Sequence, residues 1–143
     1  MNQSNDLELA KRTLLADDYA LVIAKNGELL FTSREAGIRP IYQAVRELGE
    51  SLRGASVADK VIGKAAALFC KLVRVKSVYA LLISEIAIET LQAAGIELEF
   101  GRSCPHILNR SRDGMCPIET LALDVDDGFV LLERVGKFLG DIS

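Results

Sequence analysis

The stretch at residues 77–100, SVYALLISEIAIETLQAAGIELEF, decides the fold class. Its first part, Ser77–Ile83, is an apolar run bounded by polar residues, which is typical of a strand buried on both faces. Ser84 is a favourable N-cap for the helix that follows. Ile96–Phe100 alternates between apolar and polar residues, which predicts a second strand that Gly101 ends. Two strands joined by a helix pair in parallel, so the stretch predicts a βαβ unit.

A β-hairpin is predicted before this unit. The short runs Tyr19–Ala24 and Glu28–Thr32 flank Asn26-Gly27, a dipeptide that tolerates the two positive φ angles of a type I′ turn. Helical periodicity in the remaining segments covers both faces of the resulting mixed sheet. We therefore predict an α/β fold, a three-layer α/β/α sandwich with an antiparallel strand at one edge, in a single domain over residues 1–143.

The stretch GASVADKVIGKAAALFC, Gly54–Cys70, has the apolar periodicity of one buried helix. In that helix Ser56 is the N-cap and Asp59 takes the third position of a capping box. Lys60 and Lys64 then lie four residues apart on one face, where two like charges repel each other. An anion bound at this face would relieve the repulsion, while solvated lysines at the rim are the alternative.

A second candidate site lies in the loop RSRDGMCPIET. Pro117 suits the first helical position, so Cys116 becomes the N-cap and Glu119 lies three residues on. A helix N-terminus lowers the pKa of a thiol, and the nearby Arg110 and Arg112 would lower it further. Cys116 is therefore a candidate nucleophile, and a small apolar residue packed under the loop is the alternative interpretation.

Composition narrows the class of protein. The chain has 143 residues, 50% of them hydrophobic, and a net charge of −3, which argues against a general nucleic-acid binder. The start, MNQSNDLELAKR, lacks the apolar region of a signal peptide, and no apolar run approaches the roughly 18 residues of a membrane span. With three cysteines at no paired spacing, we expect a cytoplasmic protein with reduced thiols.

Three residues, Cys104, His106 and Cys116, could in principle share a metal ion. Cys104, His106 and Cys116 lack the paired spacing and the four ligands that zinc sites usually show. No metal or other cofactor is predicted.

Three segments, GELLFTSREAGIRP, LGESLRGASVADKVIGKAAA and DGMCPIE, resemble a small family of uncharacterised bacterial and archaeal proteins. That family looks like a divergent branch of the cytidine-deaminase-like superfamily, which implies an α/β/α sandwich on a mixed sheet led by an antiparallel hairpin. Zinc deaminases carry H-x-E at one helix N-terminus and P-C-x-x-C at another. Here Ala58-Asp59-Lys60 and Ser84-Glu85-Ile86 stand at the predicted helix starts, so zinc-dependent deamination is not expected.

Ligands of such sheets bind beyond the carboxyl ends of the parallel strands, so the two candidate sites are predicted to share one pocket. One hypothesis is a metal-independent enzyme in which Cys116 is nucleophile or sulfur carrier, with Asp59 and Lys60 beside it. A second is a module that binds a small anionic metabolite or nucleotide. A third is a structural subunit of a homo-oligomer. The predicted ligand-binding residues are Lys64, Ser84, Arg110, Arg112 and Glu119.

Overall fold

A computed structural model describes residues 4–109 and 111–140. Eleven helices and strands follow one another, with a short 3₁₀ turn at Gly49–Leu52 after the second helix. They are α1 (Ser4–Ala16), β1 (Leu21–Lys25), β2 (Glu28–Ser33), α2 (Arg39–Leu48), β3 (Ser56–Ile62), α3 (Lys64–Val73), β4 (Ser77–Ser84), α4 (Glu85–Ala93), β5 (Glu97–Cys104), α5 (Pro117–Ala122) and α6 (Gly128–Phe138). No helix in these residues has the length and apolarity needed to cross a membrane.

The sheet has five strands in the order β2-β1-β3-β4-β5. The predicted hairpin is confirmed, because β1 and β2 pair antiparallel around Asn26 and Gly27, whose φ angles are 55° and 80°. Strand β1 also pairs antiparallel with β3, whereas β3–β4 and β4–β5 are parallel. The predicted antiparallel strand at one edge is therefore confirmed, since β2 lies at the edge and pairs antiparallel with β1. Strand β1 alone runs opposite to the other four.

The segment Ser56–Ile62 is a strand, so the helix predicted to start at Ser56 is wrong in its first half. Helix α3 begins only at Lys64, with Gly63 as its N-cap. Val57 packs into the core on one side of the sheet and Ala58 into the core on the other. A strand buried on both faces gives a continuous apolar pattern, which periodicity cannot separate from a buried helix.

Ser56 has a different role from the one predicted. Its hydroxyl lies 2.7 Å from the hydroxyl of Ser77, and the two residues are register partners on β3 and β4. Both side chains are buried. The hydroxyl pair satisfies two polar groups inside the sheet, which would otherwise carry a desolvation cost.

The βαβ unit β4–α4–β5 is confirmed, and the Ser84 hydroxyl accepts a hydrogen bond from the Ala87 N–H at 3.3 Å. Strand β5, however, continues through Gly101 to Cys104, so the predicted stop at Gly101 is wrong. A Cβ at position 101 would lie 2.9 Å from the carbonyl oxygen of Leu81. Glycine at this position permits close approach of two strands and does not end one.

Helices cover the sheet unequally, which confirms the α/β sandwich. Helix α1 covers one face over a small core that includes Leu14, Val22 and Tyr79. Helices α2, α3 and α4 cover the other face over the main core, and α5 and α6 pack against α3. The carboxyl ends of β3, β4 and β5 therefore lie beside the starts of α3 and α4. We call this end of the parallel strands the carboxyl edge.

Candidate functional site

The N-terminus of α3 is occupied by a carboxylate of the chain itself. Glu119, on α5, accepts hydrogen bonds from the Lys64 N–H at 2.7 Å and from the Ala65 N–H at 3.4 Å. Glu119 is buried, with 7% of its surface exposed. The first N–H groups of a helix lack partners within the helix and favour negative charge, so this carboxylate satisfies them and is stabilised by them.

Gly63 makes room for this contact. A Cβ at position 63 would lie 2.3 Å from the carboxyl carbon of Glu119, a separation that real atoms do not reach. The backbone of Gly63 is extended, so the requirement is for space and not for a special φ angle. The pairing of Gly63 with Glu119 leaves no volume for an external anion at the start of α3.

The Lys64 side chain also holds the start of α3 against the segment that follows α5. It is 8% exposed, its ammonium donates to the Leu123 carbonyl at 3.0 Å, and it lies 3.4 Å from a carboxylate oxygen of Asp126. Both partners belong to the segment between α5 and α6. Lys64 and Glu119 together clamp that segment to α3, and we call these two residues with Gly63 the α3 clamp.

Lys60 lies elsewhere. It is part of β3, and its ammonium forms an ion pair with Asp18. The prediction that Lys60 and Lys64 form a cation pair on one helix face is therefore wrong, because Lys60 lies on strand β3 and Lys64 begins helix α3.

Asp59 is not a capping residue, and the predicted capping box is wrong. It lies on β3, and its carboxylate accepts a hydrogen bond from the Val61 N–H at 3.2 Å. Burial raises the pKa of Asp59 to about 7. Burial also raises the pKa of the Cys70 thiol to about 12, and the negative charge of Asp59 adds to that shift. Asp59 thus faces the side of the sheet that α3 covers.

Ser84 caps α4, as predicted, and its register partner is Cys104 at the end of β5. Burial raises the pKa of the Cys104 thiol; the charge of Arg102 opposes this shift, and the charges of Glu85 and Glu119 add to it. The Cys104 sulfur lies 3.8 Å from the Ile83 carbonyl oxygen. The end of β5, the start of α4 and the α3 clamp therefore meet at the carboxyl edge.

Cys116 is the N-cap residue of α5, as predicted, but its thiol makes no capping hydrogen bond. Its N–H donates to the Ile107 carbonyl at 2.9 Å. Glu119 caps α3 and does not cap its own helix. Arg112 is exposed at a left-handed φ of 60° in the loop, and Arg110 lies outside the described residues. The reactivity of Cys116 stays a prediction.

The zinc of the deaminase superfamily does not fit the residues at the carboxyl edge. Gly63-Lys64-Ala65 opens α3 and Ser84-Glu85-Ile86 opens α4, so neither helix start offers a histidine or cysteine. The N–H groups at the start of α3 are already bonded to Glu119. Among the residues that the structure describes, no three His, Cys, Asp or Glu side chains gather at a metal-binding distance.

Two cavities lie along α3, near the amino ends of the parallel strands. The first has a volume of about 510 Å³ and is lined by Val45, Gly49, Glu50, Arg53, Leu72, Val73, Arg74, Phe129 and Leu132. The second has a volume of about 690 Å³ and is lined by Leu68, Lys71, Leu72, Arg74, Val75, Lys76, Ala94, Gly95, Ile96, Asp126, Asp127, Gly128 and Phe129. They share Leu72, Arg74 and Phe129. We call the two together the amino-edge groove.

Sequence reasoning placed the pocket at the carboxyl edge and missed this groove. Its cations come from the turn before β3, the end of α3 and the start of β4. No motif joins them, and each alone has the pattern of an ordinary surface residue. The one local signal was Phe129, a large aromatic residue directly after Asp127-Gly128, where a helix begins.

A family model for a domain of unknown function, DUF1893, matches residues 9–139. The chain belongs to the DUF1893 family. The crystal structure of a DUF1893 family protein from Thermotoga maritima matches this fold with a TM-score of 0.86 and 27% identity, over 96% of this chain and 92% of that one. No match is found among curated proteins.

Two weaker likenesses join this DUF1893 chain to larger proteins. Acinetobacter baumannii RibD matches with a TM-score of 0.49 and 24% identity, over 69% of this chain and 33% of that one. A diaminohydroxyphosphoribosylaminopyrimidine deaminase/5-amino-6-(5-phosphoribosylamino)uracil reductase from Thermotoga maritima matches with a TM-score of 0.44 and 19% identity, over 71% of this chain and 33% of that one. The chain spans about a third of their length, and likenesses this weak carry no functional argument.

Proposed function

We propose that this DUF1893 chain is a non-catalytic module that binds a small anionic molecule in the amino-edge groove. The observation that carries the proposal is a set of groove cations with no partner among the residues that the structure describes. Within residues 4–109 and 111–140, no side-chain hydrogen bond or ion pair is made by any of four groove residues, which are Arg53, Lys71, Arg74 and Lys76. Cations that line a concave surface raise the local concentration of anions.

The three carboxylates of the groove offset only part of the charge of the four cations. Asp126 is paired with Lys64, and Asp127 accepts a hydrogen bond from the Phe129 N–H at 2.8 Å, which caps α6. Glu50 is the remaining acidic residue of the lining. Four cations against three carboxylates leave the lining with one net positive charge, although the whole chain has a net charge of −3.

The carboxyl edge supports binding less well. The chain's own Glu119 carboxylate takes the anion position at the start of α3. We interpret this as what remains of a ligand site in a divergent branch of the cytidine-deaminase-like superfamily. The parallel strands β3 and β4, each followed by a helix, support that interpretation, because zinc deaminases carry their motifs at the starts of two such helices.

The metal-independent enzyme is the weaker hypothesis. It needs Cys116 next to Asp59 and Lys60, and in the described part of the chain no hydrogen bond or ion pair joins Cys116 to either residue. Lys60 is instead engaged by Asp18. The homo-oligomer hypothesis has the exposed apolar side chains of α6 in its favour, and it is tested below.

Thermal unfolding with added anions tests the proposed function. Inorganic phosphate, pyrophosphate and ribose 5-phosphate are titrated against the wild-type chain, Arg74→Gln and Arg12→Gln. Arg12 is an exposed cation on α1, across the sheet from the groove, and serves as the matched control. A ligand at one hundred times its Kd stabilises the fold by about 2.7 kcal/mol. We expect a saturable rise in Tm that Arg74→Gln weakens and Arg12→Gln leaves unchanged; equal effects of the two variants would disprove the site.

A further inference from the structure

Phe129 stands where the two cavities of the groove meet, and 71% of its surface is exposed. Its backbone position is fixed by the two residues that precede it. Asp127 holds its N–H, and Gly128 packs so closely on α3 that a Cβ there would lie 2.8 Å from the Leu72 Cβ. The fixed helix start thus places a large aromatic ring in solvent, where its face is open to another ring.

Arg74 is the cation shared by both cavities, and its backbone has an unusual conformation. It caps the C-terminus of α3 in the left-handed region, with φ 61° and ψ 49°, where glycine is the favoured residue. Its carbonyl accepts from the Gly54 N–H at 2.9 Å, and its N–H donates to the Lys71 carbonyl at 3.2 Å. An arginine at this position carries a conformational cost that glycine would avoid.

Resting on the proposed function, we infer that the ligand of the amino-edge groove is a phosphate ester of a planar ring, of the nucleotide class. The ring stacks on Phe129, and Arg74 holds the phosphate together with the other groove cations. Arg74 lines both cavities, with Arg53 in the first and Lys71 and Lys76 in the second, so a phosphate in either cavity has at least two cations for its several oxygens. The volumes of about 510 and 690 Å³ lie within the range of small-molecule sites.

Binding of matched probes tests this inference. Inorganic phosphate, ribose 5-phosphate and the four common ribonucleoside 5′-monophosphates are titrated by calorimetry into the wild-type chain. Ribose 5-phosphate carries the sugar and the phosphate without the ring. We expect at least one nucleotide to bind about tenfold more tightly than ribose 5-phosphate, as base–aromatic stacking supplies.

Two variants and one control assign the effect to residues. Phe129→Ala should remove the tenfold advantage of the nucleotide and leave ribose 5-phosphate unaffected. Arg74→Gly should weaken both ligands at least tenfold with no loss of Tm, because glycine is favoured at this backbone position. Phe138→Ala removes another exposed aromatic ring of α6, one that lines neither cavity, and should change nothing.

The outcomes separate the inference from the proposed function. Equal affinity for nucleotides and ribose 5-phosphate would overturn the inference and leave anion binding intact. Absence of binding by every phosphate would overturn both. A second copy of the chain could also cover Phe129, in which case a sizing column would show a dimer that Phe129→Ala dissociates, and that result would overturn the ring-stacking site.

Discussion

Asp59 shows how one buried carboxyl group makes stability depend on pH. Burial raises its pKa from 3.8 to about 7, so the folded state holds a proton that the unfolded state has lost. The stability of the fold therefore falls as pH rises between these two values and levels off above the folded pKa. The full shift corresponds to roughly 4 kcal/mol, which is an upper limit because Asp59 keeps some exposed surface.

Asp59→Asn should remove this loss, since the amide has no charge and its oxygen can still accept from the Val61 N–H. We expect the variant to be more stable than the wild type at pH 8 and equal to it at pH 4, as urea unfolding at both pH values would show. Asp113→Asn changes an exposed loop carboxylate and provides the control. A constant difference between Asp59→Asn and the wild type at both pH values would contradict the assignment.

Elements whose signals are local were predicted correctly. The hairpin followed from Asn26-Gly27, and the βαβ unit followed from an apolar strand, a serine cap and an alternating strand. Strand β3 was missed because the sheet buries both of its faces, and its pattern then matched a helix. The cap of α3 could not be predicted, because Glu119 lies 55 residues from Lys64 along the chain.

The junction between β3 and α3 depends on Gly63 being glycine. Gly63→Ala would place a Cβ 2.3 Å from the Glu119 carboxyl group, which must then move and release the helix N–H groups. We expect a loss of about 2 kcal/mol in the free energy of unfolding, measured in urea. Gly114→Ala is the control, because the nearest atom to its added Cβ is 3.6 Å away.

The cost of Gly63→Ala should depend on Glu119. In a Glu119→Ala background the obstructing carboxylate is gone, so adding the same methyl group should cost little. A double-mutant cycle measures this coupling directly. If Gly63→Ala costs the same in both backgrounds, the contact with Glu119 is not its cause.

At the scale of the whole molecule, the α3 clamp joins the C-terminal helices to the sheet. Glu119 and Lys64 attach α5 and the segment after it to the start of α3. Gly128 packs the start of α6 against Leu72, near the end of α3. Helix α6 carries Phe129, so the clamp at the carboxyl edge also positions one wall of the amino-edge groove. Glu119, which in our proposal remains from a former ligand site, thus also supports the binding groove.

Glu119→Ala should therefore weaken both the fold and the groove. Two buried N–H groups lose their acceptor, for which we expect a loss of about 3 kcal/mol in the free energy of unfolding. Hydrogen exchange should speed up at the Lys64 and Ala65 amides and in α5, and phosphate affinity should fall because α6 is held less firmly. Glu89→Ala replaces an exposed carboxylate on α4 and should leave all three measurements unchanged. Faster exchange confined to Lys64 and Ala65, with unchanged phosphate affinity, would show that the clamp serves α3 alone and that the groove is held by the contact between Gly128 and Leu72.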